Sequence, residues 1–206
     1  YQDSFDVKID HRFSDKDSFS GRFSYGRSDT TLPGPFLNVP GSEPLIGQAA
    51  GTGGAGSLNG QVSNPARSLG LQEIHNFSPT TLNEFRAAYV RAGSDALQLN
   101  FGKNYADQVG IPGVNVTDNN SGFPGISISG YSPLGGSAFF PLVELGDIYQ
   151  VLDNATFIRG SHTCKVGVDY KKIQRNFTQI LGAPAGSFGF GRGFTSDPSR
   201  PGGVTG

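Results

Sequence analysis

The chain has 206 residues, with 31 Gly, 13 Pro, 16 Phe and one Cys, and its 16 Lys and Arg against 17 Asp and Glu leave a formal charge of −1. That balance gives no summed positive field to hold a nucleic-acid backbone and argues against nucleic acid as a partner. A single cysteine closes no internal disulfide, no Cys/His cluster has zinc spacing, and apolar runs such as "SAFFPLVEL" at 137–145 fall far short of the ~20 residues of a spanning helix.

From the N-terminus, Tyr1 is preceded by neither a methionine nor a charged-then-apolar leader, as expected of a processed chain or an internal piece. The stretch "DVKIDHRFSDKDSFSGRFSYGRSD" at 6–29 then alternates apolar and charged residues and reverses through Asp15-Lys16-Asp17, which predicts an antiparallel hairpin over 4–28. A second hairpin is predicted over 67–92, turning at Pro79-Thr80-Thr81, where proline preorganises a turn and needs no ladder N–H. A third spans 148–176 across Gly160-Ser161-His162, and a seventh strand is predicted near 187–195, through Phe188, Phe190, Arg192 and Phe194. Between hairpins, residues 29–66 and 93–147 are rich in Gly, Pro, Asn and Ser without sustained period, and read as long loops.

Short and long connections therefore alternate. In an up-and-down meander this places every tight turn at one end and every long loop at the other, the arrangement of transmembrane β-barrels. The fold class predicted is all-β: about seven strands of a partial barrel. On that reading Phe5, Val7, Ile9, Phe13, Phe19, Phe23 and Tyr25 face lipid, and Asp6, Lys8, Asp10, Arg12, Ser20, Arg22 and Ser24 face a wet lumen. Phe85 and Tyr89 join the lipid face opposite Glu84, Arg86 and Ala88, as do Val166, Val168 and Tyr170 opposite Lys165, Gly167, Asp169 and Lys171. Glu73 and Asp153 break whichever face they join, so they are expected near an interface. Phe13, Phe19, Phe77, Phe85 and Phe157 flank the turns, while Tyr25, Tyr89, Tyr149 and Tyr170 lie toward the loops, as aromatic girdles do. The alternative is a secreted soluble β protein, structural or adhesive, with the same apolar residues buried between two sheets.

Several motifs carry no chemistry. Gly51, Gly53 and Gly56 match a dinucleotide pattern, but "SLNGQVSNP" follows where a helix is required. "FGFGRGF" at 188–194 lacks the basic surface of an RNA-binding strand. His11, His75 and His162 stand singly, without metal-ligand spacing, and no nucleophile elbow is present. The sequons at Asn115, Asn154 and Asn176 read as coincidence, and no cofactor or catalytic activity is expected.

The segments "VKIDHRFSDKDSFSGRFSY", "HNFSPTTLNEFRAAYVR", "VGIPGV", "GFPGISISGYSPLG" and "YQVLDNATFIRGSHTCKVGVDYKKIQRN", in this order, resemble the barrel of Oar-like TonB-dependent outer-membrane receptors over nearly the whole chain. The resemblance implies a carboxypeptidase-regulatory-like sandwich, a plug and a barrel of ~22 strands in the full receptor. It implies energised transport, location in the outer membrane of a Gram-negative bacterium, and as partners the bilayer, the rest of the barrel, the plug, TonB through the plug, and an extracellular substrate. This chain shows no plug, no TonB box and no terminal aromatic strand, and is expected to be an internal barrel segment. Its long loops place Phe36, Phe123, Tyr131, Phe139 and Phe140 as candidate substrate contacts, together with the lumenal Arg22 and Arg86. The bland alternative for the loop rings is packing under their own loops.

Overall fold

The computed structural model describes residues 1–32 and 60–194. Six long strands form one meander: β1 (Gln2–Arg12), β2 (Asp17–Leu32), β3 (Gly60–Ser78), β4 (Thr81–Leu97), β6 (Leu142–Arg159) and β7 (His162–Gln179), hydrogen-bonded in the order β1-β2-β3-β4-β6-β7. The sheet is open, with β1 and β7 at its edges. Two short strands, β5 (Gly125–Ile128) and β8 (Ser187–Phe190), pair in parallel in a separate small sheet.

The three predicted hairpins are present, and their turns explain why. Phe13 N–H donates to Asp17 C=O at 3.0 Å, and the Ser14 hydroxyl accepts from the N–H groups of Lys16 and Asp17, so a serine organises the first reversal. The second hairpin reverses over Pro79-Thr80, and the third over Gly160-Ser161, where Gly160 takes the positive φ of 61° that a tight turn requires.

Strand lengths differ from the sequence reading. β3 has 19 residues and β6 and β7 have 18 each, well beyond the ~9–11 needed to cross a bilayer. The predicted loops at 29–66 and 93–147 shrink accordingly, since β2 runs to Leu32, β3 starts at Gly60, β4 reaches Leu97 and β6 starts at Leu142. Those extensions carry Gly, Pro, Asn and Ser, which read as loop locally. A neighbouring strand offers them a hydrogen-bond template that overrides weak intrinsic preference. The seventh wall strand near 187–195 is also corrected: Ser187–Phe190 pairs with β5, and Arg192–Phe194 forms a 3-10 turn. Glycine at 189, 191 and 193 favoured a short strand and a turn over a long one.

The residues divide into two compact units. The sheet unit comprises Tyr1–Asp29, Ser63–Ser94 and Glu144–Phe177. The loop unit is built on Asp95–Val143 with the described parts of 30–62 and 178–206. Every buried apolar side chain among the described residues belongs to the loop unit: Ala96, Ala106, Phe123, Pro124, Phe140, Pro141 and Ala185. The sheet unit instead exposes its large apolar side chains, with Ile9 63% and Val168 68% accessible.

The loop unit is folded around polar and glycine contacts. Gln98 is buried and donates from Nε2 to Ser121 C=O at 2.6 Å, and the Ser121 hydroxyl accepts from Gly102 N–H at 2.7 Å. A Cβ at Gly122 would come within 2.5 Å of Gln98 Nε2, and one at Gly136 within 2.2 Å of Gln98 Oε1, so two glycines admit this side chain. Asn104 caps the single turn α1 (Tyr105–Gln108), while Asn115 Oδ1 accepts from Ala106 N–H and its Nδ2 donates to Asn120 C=O, each at 2.8 Å. Ile126 and Leu134 exchange backbone hydrogen bonds at 3.0 and 2.9 Å, adding a third segment beside β5.

Gly135 has φ +103°, and a Cβ there would stand 2.3 Å from Pro124 C=O. G135A is expected to destabilise the loop unit by about 2 kcal/mol or more, through strained φ and steric overlap. Limited proteolysis should then cut within 98–141 while the turn of the β6–β7 hairpin stays resistant.

Candidate functional site

The register of β1 and β2 sorts side chains by chemistry. Opposite one another lie Phe5 and Tyr25, Val7 and Phe23, Ile9 and Gly21, and His11 and Phe19, all on one face. Their rings meet, with Phe5 stacked on Tyr25 at 5.4 Å and tilted against Phe23 at 5.9 Å. The alternate positions pair Asp6 with Ser24, Lys8 with Arg22, and Asp10 with Ser20 on the other face. Period two in both strands, with odd opposite odd, is what keeps the two chemistries apart.

The apolar face continues across the sheet. Leu71 Cδ2 lies 3.5 Å from where a Gly21 Cβ would be, so Leu69, Leu71 and His75 share the face of Phe19 and Phe23. Tyr89 and Tyr149 bring their rings to 5.0 Å, and Phe85 lies on the same side of β4 as Tyr89. On β7, Val166, Val168 and Tyr170 are exposed at alternate positions. Glu73 falls on this face between Leu71 and His75, and Asp153 is bound by Asn83 Nδ2 at 2.7 Å, close to the Pro79-Thr80 turn. At the turn ends, His11 meets Phe13 and His75 meets Phe77 edge-on, with centroids at 4.4 and 4.3 Å.

The polar face is a ladder of charge pairs. Arg22 pairs with Asp6 at 3.0 Å, and the Ser24 hydroxyl donates to the same carboxylate. Lys8 pairs with Asp10 at 2.8 Å, Arg86 pairs with Glu84, and Gln72 Nε2 donates to Glu84 at 3.0 Å. At the other edge Gln150 donates to both oxygens of Asp169 at 2.8 and 2.9 Å, and Arg175 pairs with Glu144 at 2.5 Å while lying 4.9 Å over the Phe177 ring. Exposed pairs of this kind are each worth little in stability, so their effect is a wettable wall of nearly balanced charge. The two arginines predicted to meet substrate, Arg22 and Arg86, line one depression of about 360 Å³ with Lys8, Gly70, Gln72 and Ala88. A second depression, of about 370 Å³, is bounded by Asp10, Arg12, Ser18, Ser20, Gln72 and Ile74.

The loop rings predicted as substrate contacts separate into two groups. Phe123 and Phe140 are only 5% and 7% exposed, so they hold the loop unit together and offer no surface. Tyr131 is 77% and Phe139 43% exposed. Phe36 lies outside the described residues, as do Gly51, Gly53 and Gly56. Beside Tyr131 the structure adds two residues that sequence reasoning passed over as ligand contacts. Ile128 and Phe190 sit opposite each other in the β5–β8 register and are both exposed, and Tyr131 N–H donates to Ile128 C=O at 3.0 Å. Their only sequence signal is an apolar residue in an otherwise polar, Gly-rich stretch. No group of three His, Cys, Asp or Glu side chains that could hold a metal occurs among the described residues.

A model of the outer membrane beta barrel domain matches residues 1–204, and the chain belongs to that family. It has a barrel-wall role in an outer-membrane protein and is associated with the outer-membrane bilayer. No curated protein and no solved structure matches it.

At the turn end, outside the membrane-crossing stretch, the Asp17 carboxyl is held below its ordinary range, first by the Ser14 hydroxyl and then by the His75 ring. A depressed folded-state pKa means that the carboxylate's contribution is complete above the usual carboxyl range of ~4 and is lost only as pH falls through the lower, folded value. Carbon-13 titration of the Asp17 carboxyl should therefore show a midpoint below that of an exposed aspartate. S14A should move it upward, so that the first turn loosens at a higher pH.

Proposed function

We propose that this chain supplies wall strands and outer loops of a TonB-dependent receptor that captures a solute at the long-loop end and passes it along the polar face. The observation that carries the reading is the pairing of an outward apolar face with a separate folded loop unit. Phe5, Val7, Ile9, Phe13, Phe19, Phe23, Tyr25, Phe85, Tyr89, Val166, Val168 and Tyr170 meet hydrocarbon, where leaving them exposed to water would be unfavourable by roughly 25 cal/mol per Å². The loop unit offers Tyr131, Phe139, Ile128 and Phe190 on a backbone already ordered by Phe123 and Phe140, which lowers the entropic cost of capture. Arg22 and Arg86 line the depression a solute would pass.

Among the described residues the outer edges of β1 and β7 are unpaired, and hydrocarbon tolerates no unpaired backbone. The partners are therefore the remaining strands of the receptor, its plug, and TonB acting through that plug. In this reading the chain binds and conducts and catalyses nothing.

The chain contains no Trp, so introduced tryptophans report on this region. In the full-length protein reconstituted with brominated lipid, the signals added by V7W and V168W are expected to be strongly quenched and that added by K8W not. Equal quenching of all three would dismiss the lipid-facing assignment. For transport, Y131A is expected to weaken solute capture about tenfold, as removal of an aromatic anchor does. Deleting TonB should abolish uptake while leaving surface binding intact, and uptake that persists without TonB would refute the receptor class.

A further inference from the structure

The outward face changes character toward the long-loop ends of β2, β3 and β4. One step beyond the Phe5–Tyr25 pair on that face, Arg27 stands opposite Asp3. On β3, Arg67 follows Leu69 and Leu71 with period two, on the face that Leu71 shares with Gly21. On β4, Arg91 follows Tyr89 in the same way. Pro65 Cγ lies 3.6 Å from where a Gly93 Cβ would be, which sets the Arg67 and Arg91 ends of β3 and β4 side by side. Three consecutive strands thus carry three arginines at one end of one face.

Carboxylates answer two of them. Arg27 Nε is 2.7 Å from Asp29 Oδ2, and Arg91 Nη1 is 3.8 Å from Asp147 Oδ1, which already accepts the Tyr89 hydroxyl at 2.6 Å. Asp3 accepts from the Tyr1 hydroxyl. Arg67 has no carboxylate within ion-pair distance among the described residues. Along their own strands Tyr25 and Tyr89 stand one outward position from Arg27 and Arg91, and the Tyr149 ring meets that of Tyr89 at 5.0 Å, so amphipathic rings of the kind that mark the headgroup layer accompany these guanidinium groups. A planar guanidinium fork at that depth matches phosphate oxygens in a way a lysine does not.

We propose that Arg27, Arg67 and Arg91 form a site for the phosphate of an anionic lipid headgroup in the leaflet at the long-loop end. Tyr25, Tyr89 and Tyr149 pack beneath it against the first part of the acyl chains. The site rests on the membrane-facing reading proposed above. Arg67 is its centre, flanked on both sides by a strand carrying another arginine and, among the described residues, without a carboxylate in ion-pair reach.

The test uses the full-length protein reconstituted in phosphatidylcholine liposomes containing either lipid A, a phosphorylated glycolipid, or the same glycolipid stripped of its phosphates. Lipid retained after detergent extraction is then measured. The phosphorylated form is expected to co-purify and the stripped form not. R67A should reduce retention about tenfold, the loss expected for one charge-assisted contact, with R67K intermediate and K171A, on the polar face, unchanged. Heat-modifiable migration identical to the parent shows that R67A is folded. Equal retention of the stripped lipid, no effect of R67A, or an equal effect of K171A overturns the site, and displacement of the lipid by inorganic phosphate overturns its assignment to a lipid. If the protein inserts into neither liposome, the membrane reading itself fails and the site falls with it.

Discussion

Hydrocarbon offers a backbone no hydrogen bonds, and that constraint orders everything else in this chain. A ladder-bonded sheet satisfies its own N–H and C=O groups along every internal strand, which leaves the side chains free to answer two different solvents. The usual direction of the hydrophobic effect is then reversed. Ile9, Val166 and Val168 stay on the surface of the sheet unit, while among the described residues buried apolar side chains appear only in the loop unit. A soluble sandwich built from the same alternation would bury those residues between layers. The six strands make a single layer instead.

The polar face follows from the same alternation. Each charge on this face needs a partner or water, and Asp6, Arg22, Lys8, Asp10, Glu84 and Arg86 supply one another. The result is a wall near neutrality, lined at one place by Gly70 and Ala88, whose small side chains open the depression beside Arg22 and Arg86. Asp147 shows the complementary device on the outward face. It is buried beneath Tyr89 and Arg91, which lets a carboxylate remain on an apolar surface with polar partners.

The loop unit solves a different problem. A long connection of low hydrophobicity cannot order itself by burial alone, and here Gln98, Ser121 and Asn115 bind backbone groups that would otherwise lack partners. Gly122 and Gly136 make the room for Gln98, and Phe123 and Phe140 seal the interior. Exposed Tyr131, Ile128 and Phe190 are then carried on a firm base.

Much of the sheet was legible in the sequence, because period-two alternation and three short turns are local signals that the register of β1 and β2 repeats pair by pair. Alternation also fixed which of Asp6 and Val7, or Lys165 and Val166, shares a side with which. Strand ends were not legible: Gly60–Ala66 and Gly93–Leu97 extend only because a neighbouring strand is there to bond them, and that neighbour is distant in sequence. The same non-local cause drew Ser187–Phe190 to β5 and away from the wall. Nor could residue type tell Phe123 and Phe140, which close the loop interior, from Tyr131 and Phe139, which face outward. Aromatic identity is written in the chain, but burial depends on which distant backbone arrives above the ring.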